Sequence, residues 1–303
     1  MSVLKRDFVA YYGDEHDGVI EVPASTKDGG VLEIGYYFGD AKPKNIIGIS
    51  SQIGCPARCK FCELGNEKFD RNLSLEEMVE EVRLMHETVK RLGLDDEKKI
   101  KITVAKAGEP MFNRNVVGCF ERLSVGNYSF KMSSVFPDTG KCMDNFYRLA
   151  EFASMYENSV QFQISLVSTS EEYRKNQIGI NVLSFKDIRN VGEYWRNSVP
   201  DGRKVNLSLI LTDDVPVDVS DARDILPTEL FRFRFRNYVP TQYGIDNGLE
   251  VIGKGKFDLI YTSFEDNGYD VSEWGTPTKT EQRFGLASNV TRRRYQQMVD
   301  GKF

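Results

Sequence analysis

From residue 99 onward the sequence alternates between two periods, and this alternation limits the fold more than any other feature. "KIKITVA" (99–105), "SFKMSSV" (129–135), "SVQFQISLV" (159–167), "KVNLSLILT" (204–212) and "LFRFRFRNYV" (230–239) read as strands. Between them "DNFYRLAEFASMY" (144–156), "SFKDIRNVGEYWRN" (184–197) and "SDARDIL" (220–226) have helical spacing, and residues 109–128 supply one more helix. Such alternation builds a parallel sheet with helices outside it. About six such units are too few for a closed eight-stranded barrel. The expected fold is therefore α/β, a partial (βα)6 TIM-like barrel with a short N-terminal β extension. In that extension "GVIEVPA" and "GVLEIGYYF" are strand candidates on either side of "STKDGG". The expected boundaries are 1–45 for the β extension, 46–245 for the core and 246–303 for a C-terminal extension packing on it.

A buried parallel strand usually reads as one apolar run. Here Gln161, Gln163 and Ser165 alternate with Phe162, Ile164 and Leu166, and Asn206 and Ser208 with Val205, Leu207 and Leu209. Period two puts the polar set on one face. That face is either a polar lumen able to hold a polar ligand or an edge wetted by solvent. In "FRFRFRN" Arg232, Arg234 and Arg236 alternate with Phe231, Phe233 and Phe235. Facing a lumen, the guanidinium groups suit phosphate or carboxylate; facing out, they form a charged rim. The sequence leaves both open.

At 303 residues the chain holds one large core or at most two domains. Its net charge of −5 gives no general affinity for nucleic acid. The basic "TRRRY" (291–295) reads as a solvated helix end. With no apolar leader and no run of about eighteen apolar residues, a soluble cytoplasmic protein without membrane contact is expected.

"ISSQIGCPARCKFCELG" (49–65) contains three of the five cysteines, Cys55, Cys59 and Cys62, spaced C-x3-C-x2-C. An odd, clustered set argues against a secreted disulfide framework. Thiolates select zinc, copper(I) or iron–sulfur clusters. A closed zinc site wants four ligands, commonly two pairs, and no second pair exists; Cys119, Cys142, His16 and His86 lie far off in sequence. A [4Fe–4S] cluster also normally takes four cysteines, so three would leave one iron open to a ligand from outside the protein. After this loop, "SLEEMVEEVRLMHETVKRLG" reads as a helix: a Ser74/Glu77 capping box, apolar Met78, Val79, Val82, Met85 and Val89, and Gly93 at its end.

C-x3-C-x2-C, with Phe61 before its third cysteine, resembles the radical S-adenosylmethionine (SAM) superfamily, and "AGEP" (107–110) resembles that superfamily's GEP motif. "SSQIGC" (50–55), "FDRNLS" (69–74) and "ISLVSTSEEYRKNQIGIN" (164–181) resemble, more narrowly, the RlmN/Cfr family of ribosomal RNA adenosine methyltransferases. The resemblance implies a [4Fe–4S] cluster on Cys55, Cys59 and Cys62, whose open iron is chelated by SAM. It implies SAM contacts from Gly108, Glu109, Ser133, Ser165, Leu166, Val167 and Gln242. It also implies cleavage of SAM to a 5′-deoxyadenosyl radical that abstracts hydrogen from substrate, and an electron donor such as flavodoxin or ferredoxin. Two cysteines that the family's methyl transfer needs are replaced, by Gly48 and by Phe284 in "RFGLAS". The expectation is a radical SAM enzyme acting on a small polar molecule or nucleotide in preference to structured RNA. RNA methylation by another route and a non-catalytic iron–sulfur module are the alternatives. Cys119 and Cys142 are expected in the core.

Overall fold

The computed structural model describes residues 2–13, 16–39, 44–94, 99–156 and 159–273. Phe284, the "TRRRY" run and the rest of the C-terminal extension beyond residue 273 lie outside the described residues. The chain forms two compact units, one comprising Met1–Cys55 and Glu67–Lys131, the other Pro56–Asn66 and Met132–Thr276 among the described stretches.

The first unit contains β1 (Leu4–Arg6), β2 (Ala10–Gly13), β3 (Asp17–Thr26), β4 (Val31–Gly39), β5 (Lys44–Ile49), β6 (Gln52–Ile53), β7 (Arg71–Asn72), α1 (Leu75–Arg91), β8 (Ile100–Val104) and α2 (Asn115–Leu123). β3 and β4 form the antiparallel hairpin expected around "STKDGG", and Gly29 takes the left-handed φ of 87° that its turn requires. β5 pairs antiparallel with β4 and parallel with β8, so the strand entering the cysteine loop is where this sheet changes direction. α1 begins as its sequence dictates. The Ser74 hydroxyl accepts from Glu77 N, and Ser74 N donates back to the Glu77 carboxylate. Met78, Val82, Met85 and Val89 are buried.

β9 (Tyr128–Ser134) carries the chain into the second unit. There follow α3 (Gly140–Met155), β10 (Val160–Ser165), α4 (Glu171–Gln177), α5 (Phe185–Ser198), β11 (Val205–Leu211), α6 (Val219–Arg223), β12 (Phe231–Asn237), α7 (Gln242–Asp246), α8 (Lys254–Asp266) and β13 (Val271–Glu273). β10, β11, β12 and β13 pair in that order, all parallel, as the alternation requires. Neither unit closes its sheet on itself among the described residues.

The period-two strands of the second unit resolve into two faces. Phe162, Ile164, Val205, Leu207, Leu209, Phe231, Phe233 and Phe235 are fully buried. Helices cover this side: the Trp195 ring of α5 lies tilted 5.7 Å from Phe162, Phe264 of α8 lies 4.7 Å from Phe233, and Gly192 of α5 makes room for the Phe231 ring. Fully burying such aromatic and aliphatic side chains contributes about 1.5–3 kcal/mol each. On the other face the register aligns Gln163 with Asn206 and Arg232, and Ser165 with Ser208 and Arg234. Gln161, Gln163, Asn206 and Ser208 are buried, at 7 % exposure or less. A solvent-wetted edge is therefore excluded for these positions.

Candidate functional site

In the first unit, three of the phrases singled out in the sequence meet around one loop. Ser51 N and Gln52 N donate to Ala107 O at 2.7 and 3.2 Å, and Ala107 N donates to Ser50 Oγ at 3.3 Å. Glu109 N donates to Gln52 Oε1 at 2.7 Å. Gln52 Nε2 in turn donates to Asn72 Oδ1 at 2.8 Å, and Asn72 Nδ2 to Phe112 O at 3.0 Å. "SSQ", "AGEP" and the "RN" of "FDRNLS" thus form one hydrogen-bonded block immediately before Cys55. Gly108 sits at φ 102° against Ser51 Oγ and Gln52, both 2.6 Å from where a Cβ would stand. Only glycine permits that approach. Glu109 is 3 % exposed, and its carboxylate accepts from Met111 N at 3.0 Å, capping the short 3-10 turn Pro110–Phe112.

In the second unit, Cys59 and Cys62 stand on a loop held by backbone bonds. Lys60 N donates to Gln177 O at 2.9 Å, Gly179 N to Ala57 O at 2.9 Å, and Cys62 N to Cys59 O at 3.1 Å. Arg58 takes a left-handed φ of 50°, and Gly179 lacks the Cβ that would meet it at 2.7 Å. Burial pushes the Cys62 thiol up from its ordinary pKa. The Leu64 N–H and the Arg236 charge pull it back. Arg174, 1 % exposed, donates to Leu183 O and Val135 O at 2.6 and 2.7 Å; burial lowers its pKa to about 10, and Cys59 is among the groups acting on it. Sequence reasoning gave Arg174 no role, and it read Arg236 as a lumen or rim residue without linking it to the thiols. Among the described residues, no three His, Cys, Asp or Glu side chains stand close enough to hold a metal ion. In a thiolate site the metal–sulfur bonds themselves supply much of the ordering.

The remaining expected SAM contacts, in the same unit, divide sharply. Val167 is 2 % exposed with φ 72°, a conformation β-branched residues rarely adopt, held because Leu166 N and Val167 N both donate to Ser208 O at 2.9 and 3.0 Å. Ser165 ends β10 just before this kink. Ser134 Oγ is committed to Phe136 N at 2.7 Å, whereas Ser133 Oγ is buried without a partner; of the two adjacent serines, Ser133 keeps a free hydroxyl. Gln242 is not gathered with these. It is exposed on α7, its amide donating to Asp246 at 2.8 Å, while the buried neighbour Thr241 caps the helix through Gly244 N. Helix capping by Thr241 turns the next side chain outward.

No family model matches the chain. A probable dual-specificity RNA methyltransferase RlmN from Endomicrobium trichonymphae is 28% identical over 203 residues, 63% of this chain and 53% of that protein. One of the same description from Malacoplasma penetrans is 25% identical over 255 residues, 82% of this chain and 69% of that protein. A radical SAM methyltransferase from Sphaerobacter thermophilus shares the fold with a TM-score of 0.75 at 17% identity, covering 96% of this chain and 82% of that one. By these likenesses the chain is similar to RlmN-type radical SAM methyltransferases. It spans about half the length of the curated relatives it matches.

Within the RlmN-like frame, the clearest departure has a structural counterpart. At Gly48, where the resemblance implies a methyl-transfer cysteine, a Cβ would stand 3.2 Å from the Tyr37 ring and 3.5 Å from Lys106 Cγ. Gly48 pairs with Gly35, and Gly35 with Glu21, so two glycines open a trough across three strands. Lys106 lies along it and donates to both Glu21 oxygens at 2.7 Å, with Tyr37 donating to Glu21 at 3.1 Å. Lys106 and Glu21 are each 3% exposed at the side chain. Burial drives the Glu21 carboxyl up to about 7 against the opposing pull of the ammonium, and the carboxylate keeps Lys106 protonated despite its burial. The Tyr37 ring and the Lys106 stem of this ion pair thus border Gly48, and Lys106 precedes Gly108 by two residues in sequence. Cys119 and Cys142 are fully buried, as expected of core residues.

Proposed function

We propose that this chain is a radical SAM enzyme that has lost the cysteine-based methyl relay of its RlmN relatives. The observation that carries this is the bonded block of residues 50–52, 72 and 107–109 ahead of Cys55, combined with a glycine at position 48 whose side-chain space is taken. In this reading the β extension (1–45), core (46–245) and C-terminal extension (246–303) stand, and the core strands form the partial (βα)6 barrel. Cys55, Cys59 and Cys62 hold a [4Fe–4S] cluster; soft thiolates in C-x3-C-x2-C are the right donors for it. Gly108 and Glu109 receive the SAM amino group, and Ser133, Ser165, Leu166 and Val167 line the rest of the cofactor; Gln242 is the weakest member because of its bond to Asp246. Bound together, cluster and SAM supply reductive cleavage to methionine and a 5′-deoxyadenosyl radical. The protein's part is to orient. The Gly108 turn presents backbone, the buried Glu109 carboxylate offers an acceptor, and the Val167 kink fixes the strand end. A flavodoxin or ferredoxin donates the electron. The substrate is a small polar or anionic molecule or a nucleotide, and the setting is cytoplasmic. Among the described residues no helix is long and apolar enough to cross a membrane.

A second reading, RNA methylation, is favoured by the names of the relatives. One experiment separates the two. The anaerobically reconstituted, reduced chain is given methyl-labelled SAM with and without ribosomal RNA. Release of 5′-deoxyadenosine and methionine without label on RNA supports the first reading. Label on adenosine supports the second, and absence of any SAM cleavage rejects both.

A further inference from the structure

The polar face of β10, β11, β12 and β13 contains more hydrogen-bonding capacity than the protein itself uses. Asn206, 1 % exposed, has neither Nδ2 nor Oδ1 in a hydrogen bond. Gln161 and Gln163, 4 and 7 % exposed, leave Oε1 without a partner, and the Nε atoms of Arg232 and Arg234 and the Ser272 hydroxyl are buried and unpaired. The register brings these groups together. Gln163, Asn206 and Arg232 form one row across three strands, and Ser208, Arg234 and Ser272 form the next. Buried polar side chains are nearly always satisfied, and a group of unsatisfied ones on one face calls for a polar ligand or ordered water.

Charge distinguishes between these. The two arginines stand two residues apart on one face, about 6.6 Å along the strand, within reach of a common ligand. Arg232 Nη2 is bridged to Asp270 at 3.2 Å, and its side chain is 30% exposed. Among the described residues Arg234 has no such counter-charge; burial and the neighbouring charges of Arg232 and Arg203 all disfavour its protonated form, lowering its pKa to about 10. The face is thus cationic, rich in amide groups, and left clear by α5 and α8, which cover the phenylalanine side. Water satisfies amides but leaves paired cations repelling; an oxyanion satisfies both.

We propose that Arg232, Arg234, Asn206 and Gln163 form a binding subsite for an oxyanion, a phosphate or carboxylate group of a small ligand. This deepens the radical SAM reading by naming the substrate's anchoring group, but the subsite consists of second-unit residues other than the cysteines and the expected SAM contacts. The Gln163–Asn206–Arg232 row lies two residues before Ser165, where β10 leads into the Val167 kink among the expected SAM contacts. A substrate so held keeps its charged group deep in the sheet and directs the remainder toward the cofactor.

The test is equilibrium binding of inorganic phosphate, with malonate as the carboxylate probe, to the full chain reconstituted anaerobically in phosphate-free buffer. Saturable binding of either probe is expected, and the preferred probe identifies the group. Arg234→Gln should weaken it about 10- to 100-fold, the loss of one charge-assisted interaction. Asn206→Leu should weaken binding while raising the melting temperature, since it replaces an unsatisfied amide by an apolar group of similar size. A lowered melting temperature would mean that Asn206 serves the fold, and would overturn the subsite. So would the absence of saturable binding by the parent chain, or displacement of phosphate by SAM, which would assign these arginines to the cofactor. Cys55→Ala should retain phosphate binding. Phosphate binding by a parent chain that fails to cleave SAM would reject the radical reading and leave the subsite standing.

Discussion

Glu81 offers a test of how the segment before the cysteines is supported. It lies on α1, is fully buried, and accepts from Ser50 N at 2.8 Å through one carboxylate oxygen; the other oxygen has no partner. Burial raises its pKa well above the ordinary 4.5, with Glu77 adding to the effect and Ser50 opposing it. A carboxyl whose folded pKa is raised contributes stability fully present below its unfolded pKa and lost as pH rises toward the folded value. The loss is about 1.4 kcal/mol per pH unit over the range in which the unfolded carboxyl is ionised and the folded one is not, so at most about 3 kcal/mol by pH 7. Glu81→Gln keeps an acceptor for Ser50 N and removes the titration. Urea unfolding of the reduced, metal-free chain at pH 5, 6 and 7 should find the two proteins nearly equal at pH 5. The variant should gain progressively, by up to about 3 kcal/mol at pH 7. Parallel pH profiles, or a variant less stable at pH 7, would refute the reasoning and show that the fold holds Glu81 ionised.

Replacing Cys55, Cys59 or Cys62 by alanine should abolish a reconstituted cluster of about four irons and four sulfides, read from its charge-transfer absorption, whereas Cys119→Ala and Cys142→Ala should retain it. Glu109→Ala should weaken SAM binding by about 1.5–3 kcal/mol in calorimetry; unchanged affinity would place the amino group elsewhere. Lys106→Met should destabilise the chain by about 3–5 kcal/mol near neutral pH, because it leaves Glu21 buried without its cation, and a Glu21→Gln/Lys106→Met double variant should recover much of the loss in the same urea assay. After treatment with methyl-labelled SAM, intact-protein mass spectrometry should find no added methyl group; a methyl lost in Cys142→Ala would mean that this buried thiol becomes accessible and acts as the carrier.

The sequence by itself determined the elements whose period is local. The capping box of α1, the hairpin around "STKDGG" and the strands from 99 to 239 lie where alternation, caps and turn residues placed them. It did not mark β5, whose "KNIIGI" is too short to show a period, or α8, whose "KGKFDLIYTSFED" buries only Phe257 and Phe264. The spacing of Cys55, Cys59 and Cys62 and the loss of a cysteine at position 48 were legible because they concern residue identity alone. Only tertiary structure decided what depends on neighbours distant in sequence. Strand register put Arg232 and Arg234 beside Asn206 and Ser208. A left-handed backbone at Val167 is fixed by Ser208 O from another strand. Ser133 was separated from Ser134 by the latter's bond to Phe136, and Gln242 was turned outward by the Thr241 cap. The Lys106–Glu21 pair joins residues 85 positions apart across two glycines. Periodicity records which face a side chain takes along its own element; which groups meet on that face is set by the pairing of elements, and no local pattern encodes it.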